Sequence, residues 1–186
     1  MNPMKEVELS LILERDVSAA LDAELIEALV ECYPNEAWYF CKRSWWYSRP
    51  AWRIIAREKD GPVVGHFAAV LRDVLVGDKK TPVSVAGVQG VFVRQAHRGT
   101  ELSDRLMART LEEAGQQNLD AGLLFCIPKL EALYGRMGWH KIDAEASLIG
   151  ESGERELLSD KDISMVYPLR LKEFPSGDID LNGNVW

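Results

Sequence analysis

The sequence predicts one α/β domain, residues 1–186, built on a mixed sheet. Three observations predict it. Apolar stretches of period two and of period 3.6 follow one another along the chain, so strands and helices interleave. The 186 residues are 47% apolar and 27% charged, a globular composition, and a chain this long buries roughly 70% of its unfolded surface without a metal or disulfide staple. No repeat, low-complexity tract or linker divides it.

Val7 to Leu13 alternates, with Val7, Leu9, Leu11 and Leu13 on one face of a half-buried strand. Asp16 or Ser18 caps the following helix, Ala19 to Cys32, in which Leu21, Leu25, Ala28, Leu29 and Cys32 fall at helical spacing. Tyr33-Pro34-Asn35 ends it, because a residue before proline avoids the α region. Glu36 to Trp52 gathers Trp38, Tyr39, Phe40, Trp45, Trp46, Tyr47 and Trp52 around a Ser-Arg-Pro turn. Such rings are either core anchors or a wall that stacks on a sugar or a cation. Trp52 to Arg57 and Val63 to Val76 read as strands joined by an Asp60-Gly61 hairpin turn.

Gly77 to Lys80 is the next turn, and Ser84 to Val93 a long apolar strand interrupted by Gly87 and Gly90. Gly99 to Gln117 reads as an amphipathic helix on Leu102, Leu106, Leu111 and Ala114, and Gly122 to Ile127 as a short buried strand. Pro128 suits a helix start, where its missing N–H would have no partner anyway, and a short helix from Lys129 to Met137 ends at Gly138. Trp139 to Ala144 and Asp162 to Leu171 supply late strands. Phe174 to Trp186 is a Gly/Asn/Asp-rich tail, in which Asp178 and Asp180 form either a solvated turn or an amine-binding pair.

Charge and composition narrow the function classes. Against 29 acidic residues stand 22 basic ones, a net charge of −7, which argues against a nucleic-acid binder and favours cationic small molecules or basic peptides as partners. Cys32, Cys41 and Cys126 are odd in number and lack a CxxC pair, so reduced, mostly buried thiols are expected. His66, His97 and His140 have no ligand spacing, and no metal is expected. Met1 to Glu8 is polar and no run of 18 apolar residues occurs, which predicts no secretory signal, no membrane span and a cytoplasmic location.

The stretch from Val88 to Trp139 carries the chemistry. A strand, Val88-Gln89-Gly90-Val91-Phe92-Val93, runs through Arg94-Gln95-Ala96-His97-Arg98-Gly99-Thr100 into a helix. A glycine-containing turn at a helix N-terminus offers free N–H groups and the positive end of the helix dipole to an anion such as a pyrophosphate. It is neither GxxxxGK[ST] nor GxGxxG. Downstream, Leu133-Tyr134-Gly135-Arg136-Met137-Gly138-Trp139 follows a buried strand.

As a set, these features resemble the GCN5-related N-acetyltransferase (GNAT) superfamily over residues 60–170. The resemblance implies the GNAT fold, a central mixed, mostly antiparallel sheet with splayed middle strands flanked by helices. It implies acetyl-CoA as cofactor, its pyrophosphate on Arg98, Gly99, Thr100 and Glu101 and its pantetheine arm on the edge of Val91, Phe92 and Val93. It implies Tyr134 as the acid that protonates the departing thiolate. The family loop pattern, Q/R-x-x-G-x-G/A, has small residues where Glu101 and Ser103 stand here. A glutamate facing a pyrophosphate repels it, so Glu101 is expected to point to solvent.

Two branches look similar in more detail. Aminoglycoside 2'-N-acetyltransferases share the Val-x-Gly-Val-x-Val-Arg strand and loop, the Leu-Tyr-x-x-x-Gly-Trp segment and a Gly-x-Val-Trp end, here Gly183-Asn184-Val185-Trp186. Rhizobial nodulation N-acyltransferases resemble the tail from Phe174. Both act on amino-sugar nitrogens, which implies an amino-sugar acceptor held by Glu36, Gln89, Asn184 and Trp186, and a role in antibiotic resistance. The first branch has a glutamate at the position of Gln89 and an aspartate at that of Asn184. Two fewer negative charges suit a less cationic sugar, kasugamycin rather than gentamicin.

Acyl transfer needs a neutral amine, so a base must take its proton. With Gln89 in the usual base position, the terminal carboxylate of Trp186 is the first candidate and Glu36 the second. Backbone N–H groups of Val91 to Val93 are expected to polarise the thioester carbonyl. The competing readings are an acyltransferase with a longer acyl donor, a protein or small-amine acetyltransferase, and a coenzyme-bound sensor without catalysis. A homodimer is the assembly common among such enzymes; neither a nucleic acid nor a membrane is an expected partner.

Overall fold

The computed structural model describes residues 6–186; the first five residues of the polar start Met1 to Glu8 lie outside the described residues. In chain order the elements are β1 (Val7–Leu13), α1 (Ala19–Cys32), α2 (Ala37–Phe40), β2 (Trp52–Glu58), β3 (Val63–Val76), β4 (Thr81–Val93), α3 (Leu102–Gln116), β5 (Ala121–Cys126), α4 (Glu131–Arg136), β6 (His140–Ile142), β7 (Ala146–Ile149), β8 (Arg155–Leu157), β9 (Ile163–Pro168) and β10 (Ile179–Asp180). The architecture is mixed α/β, as the sequence predicts, and its strand pairs are mostly antiparallel, as the resemblance implies. The chain divides into two compact units, residues 1–69 with 89–110, and residues 70–88 with 111–186, and β3, β4 and α3 each run from one into the other.

In the first unit β1, β2 and the first half of β3 form an antiparallel meander, with Leu9 opposite Ala56 and Ile55 opposite His66. A bulge between Ala56 and Arg57 shifts the register. Ser18, not Asp16, caps α1: its hydroxyl accepts the Leu21 N–H at 3.1 Å, which satisfies one of the orphan donors of the first turn. The apolar stripe of α1 (Leu25, Ala28, Leu29) packs with Tyr39, Phe40, Ile55, Val63 and Phe92. The helix α3 begins at Leu102 rather than Gly99, because Gly99 sits at φ +76°, outside the right-handed helical region.

In the second unit the hydrogen-bonded order is β6-β9-β5-β4-β3-β10-β7-β8. The pair of β4 with β5 is parallel and spans only Val85 to Gly87 against Ala121 to Leu123, whereas β5 pairs with β9 along its whole length, from Ala121 to Cys126. Asp120 closes the start of this ladder. It accepts the Ser84 N–H at 2.9 Å and the Arg170 guanidinium at 2.7 Å. The core gathers Val74, Val83, Val85, Leu123, Leu148, Ile179, Leu181 and Trp186.

The Gly/Asn/Asp-rich tail contains a short strand. Ile179 and Asp180 form β10, antiparallel to β3 and parallel to β7. Asp180 is buried and paired with Arg155 at 2.9 Å and Lys80 at 3.7 Å. It is thus neither a solvated turn residue nor an exposed amine ligand, because burial and two cations have made it a structural acceptor. Burial pushes its carboxyl up, but the Asn182 N–H, Arg155 and Lys80 outweigh that and hold it below the usual carboxylate range. The expectation of mostly buried thiols also needs correction: Cys126 is buried, Cys32 half-buried and Cys41 exposed. None is in a disulfide.

Candidate active site

The strand β4 was expected to carry the reacting end of the cofactor, and the first unit organises that segment residue by residue. Gln89 is buried. Its amide oxygen accepts the Trp46 N–H, and its amide nitrogen donates to the Ser48 carbonyl at 2.6 Å. Both ends of the side chain therefore hold the aromatic loop, and an amide supplies no base. Gly90 follows at φ +59°, a left-handed conformation inside a strand. Its carbonyl accepts from His66 Nδ1 at 2.7 Å. The Val91 carbonyl accepts from the Tyr33 hydroxyl. Phe92 is buried and lies against the His66 ring, centroids 5.5 Å apart. The Val93 carbonyl accepts from Arg98 Nε at 3.0 Å. Two carbonyls of the expected pantetheine edge thus already have side-chain partners.

His66, which has no ligand spacing in the sequence, is fully buried. A carbonyl only accepts, so the hydrogen bond to Gly90 requires the proton on Nδ1, and Nε2 is left as an acceptor. Arg53 fills that place: its Nη1 lies 3.3 Å from Nε2 and also donates to the Ser44 carbonyl at 2.9 Å, while its Nε donates to Glu14 at 2.8 Å. Burial, and then the positive charge of Arg53, push the His66 pKa down to about 3. The imidazole is neutral and its tautomer set.

The turn Arg98-Gly99-Thr100 leads into α3. Thr100 Oγ1 donates to the His97 carbonyl at 2.7 Å and accepts the Leu102 N–H at 3.3 Å, which fixes the entry to the helix. A Cβ placed on Gly99 would meet nothing within 4 Å, so its backbone faces open space. Glu101 is exposed, as expected for a carboxylate that must avoid a phosphate. Open backbone, exposed arginine and uncrowded helix start fit a diphosphate. Glu36 is half-buried beside the Tyr33 phenol, whose own pKa is raised by burial first and then by Cys32 and Glu36.

The remaining candidates belong to the second unit. Tyr134, on α4, is buried and meets Trp139 edge-on at 6.4 Å. Trp139 is itself buried, against Gly122 and 5.8 Å from Tyr167. The Trp186 ring is buried on Gly87, where a Cβ would stand 2.2 Å from the indole. Arg72 stacks on the Trp186 ring at 5.3 Å and donates to the carbonyl of Asn184. Sequence reading missed Arg53, His66, Arg72 and Tyr33. The first two carried a signal, a lone polar residue inside an apolar strand run; Arg72 and Tyr33 carried none.

Among the described residues no cluster of His, Cys, Asp or Glu could hold a metal ion, and no helix is long and apolar enough to cross a membrane. No curated protein matches the chain. The fold is shared with ElaA of Escherichia coli (15% identity, 87% of this chain and 99% of that one, TM-score 0.61). It is shared with an acyl-CoA N-acyltransferase from Pseudomonas aeruginosa (17%, 87% and 99%, 0.61). A third structure, the E. coli GNAT family N-acetyltransferase YhbS in complex with CoA, is similar over 97% of this chain and 92% of that one (17%, 0.62). A family model described as an acetyltransferase (GNAT) domain matches residues 17–142, more than half of the chain. The chain therefore belongs to the GNAT family and is an N-acetyltransferase that draws its acyl group from a coenzyme A thioester.

Proposed function

We propose that the acceptor is the amine of an amino sugar, in the specific form of aminoglycoside 2'-N-acetylation, with a weakly cationic sugar such as kasugamycin preferred. The observation that carries this reading is the built-in C-terminal segment. Gly183 to Trp186 ends with its last ring seated on Gly87 and its backbone held by Arg72. A segment anchored in this way holds Asn184 and Trp186 in fixed positions from which they would contact the acceptor, while Gln89, an amide with both ends hydrogen-bonded, cannot serve as its base. The acetyl thioester supplies the activated carbonyl when bound. Arg98, Gly99 and Thr100 would hold its diphosphate, the Val91–Val93 edge its pantetheine arm, and Tyr134 is the proposed proton donor to the leaving sulfur.

Thiol release from acetyl-CoA by the purified protein tests the reading, with kasugamycin, gentamicin, glucosamine and a lysine peptide as acceptors. Kasugamycin turnover above gentamicin is expected. Preference for gentamicin overturns the charge argument, and preference for the peptide, or for a long-chain acyl-CoA, overturns the amino-sugar acetylation. Tyr134→Phe is expected to lower kcat by about 10² or more with the KM for acetyl-CoA little changed, the loss typical of a general acid.

A further inference from the structure

The buried Arg53–His66 pair has no place in the chemistry above. The two residues are diagonal neighbours on one face of the β2/β3 ladder, since Arg53 pairs with Ala68 and Ile55 with His66. Arg53 is fully buried, and a buried charge is costly unless paired. Glu14 pairs it, its carboxylate also bound by Arg49 at 2.9 Å. Its Nη2 is buried without an acceptor among the described residues. A guanidinium with one donor left orphaned is not arranged for its own satisfaction. What the arrangement does is hold two irregular backbone segments, the Ser44 carbonyl in the aromatic loop and, through His66, the Gly90 carbonyl in β4.

The second hold has a covalent consequence. A trans peptide carries its C=O and its N–H in opposite directions. The Gly90 carbonyl is turned toward His66, so the Val91 N–H of the same peptide is turned the other way. Gly90 can adopt this turn because it lacks a Cβ; one would approach the His66 ring to 3.1 Å.

We infer that Arg53 and His66 are positioning residues: through the chain Glu14–Arg53–His66 they set the orientation of the Gly90–Val91 peptide, and with it the N–H that polarises the thioester carbonyl. The catalytic part of this inference rests on the proposed use of the Val91–Val93 amides. The imidazole is suited to the task. It is rigid, it stacks on Phe92, and its single tautomer gives one donor to Gly90 and one acceptor to Arg53. Asparagine places an amide N–H near the position of Nδ1, whereas leucine keeps only the bulk.

The test compares His66→Asn and His66→Leu with the wild type in three measurements: the Val91 amide resonance of the free protein, the Kd for CoA, and the kcat and KM for acetyl-CoA. In His66→Leu a displaced Val91 resonance and a kcat lowered at least tenfold are expected, with the Kd for CoA within about twofold, because the Arg98–Thr100 turn is untouched. His66→Asn is expected to restore the resonance and most of kcat. A folded His66→Leu with wild-type Val91 resonance and wild-type kcat overturns the inference, as does an Asn variant no better than the Leu variant. If Val91 responds as expected but kcat follows neither variant, the use of that N–H in catalysis is overturned and the positioning of the peptide stands. If His66→Leu does not fold, Arg53→Lys decides by the same resonance: a shift is expected, and no shift overturns the inference.

Discussion

Glycines on the central strands serve opposite purposes in the two units. In the second unit Gly87 and Gly122 are seats: a Cβ would stand 2.2 Å from the Trp186 ring and 2.7 Å from the Trp139 ring, so their use is close approach. In the first unit Gly90 is a swivel: its φ of +59° turns a carbonyl out of strand geometry toward a histidine. One region is organised by apolar contact, which is additive and non-directional. The other is organised by hydrogen bonds, which fix direction and are costly to leave half-made. A scaffold can be built of the first kind of contact alone, whereas aiming a single N–H requires the second.

Five perturbations would break or sharpen that contrast. The largest effect is expected from Trp186→Ala, which empties the seat on Gly87 and should cost about 3–5 kcal/mol in denaturant unfolding; a loss under about 1 kcal/mol would show that the ring is not an anchor. Gly87→Ala should cost about 1–3 kcal/mol by overpacking the same contact. Gly90→Ala should cost only about 1 kcal/mol for its left-handed backbone yet lower kcat more than Gly87→Ala does. Equal effects of the two on kcat would erase the distinction.

Mild acid, between pH 7 and 5, should probe the polar region through His66. Unfolded, His66 titrates near its ordinary 6.5; folded, at about 3. Between these values the unfolded chain binds the extra proton, so folding stability falls as pH drops below about 6.5 and is unaffected by this group above it. The slope for one proton is about 1.4 kcal/mol per pH unit. Urea titrations at pH 7, 6 and 5 should show this slope in the wild type and lack it in His66→Asn; parallel curves would mean that the folded histidine takes up the proton too. The smallest effect is reserved for local structure: Ser18→Ala should cost about 1 kcal/mol by uncapping α1, with the site unchanged.

Much of this was legible in advance. β1, α1 and β3 fall where periodicity, a capping serine and an Asp-Gly turn put them, because those signals act within a few residues. The glycine turn, Tyr134 and the Gly138-Trp139 pair were found as a pattern of residue types at fixed spacing. β7, β8 and β10 were not found. They are short, and Ile179–Asp180 becomes a strand only because β3 and β7 offer it two edges. Gln89 shows the limit most clearly. Its position suggested a ligand to substrate, but its two amide hydrogen bonds to Trp46 and Ser48 depend on a loop more than forty residues away in the chain.

By itself the sequence determined the order of strands and helices, the interleaved α/β class and the acyl-transfer family, since all three follow from local periodicity and short-range motifs. Only the tertiary structure decided which polar residues are buried together. The meeting of Glu14, Arg53, His66 and Gly90 depends on strand register and on one left-handed peptide, and desolvation gives a long-range contact of that kind its directional hold.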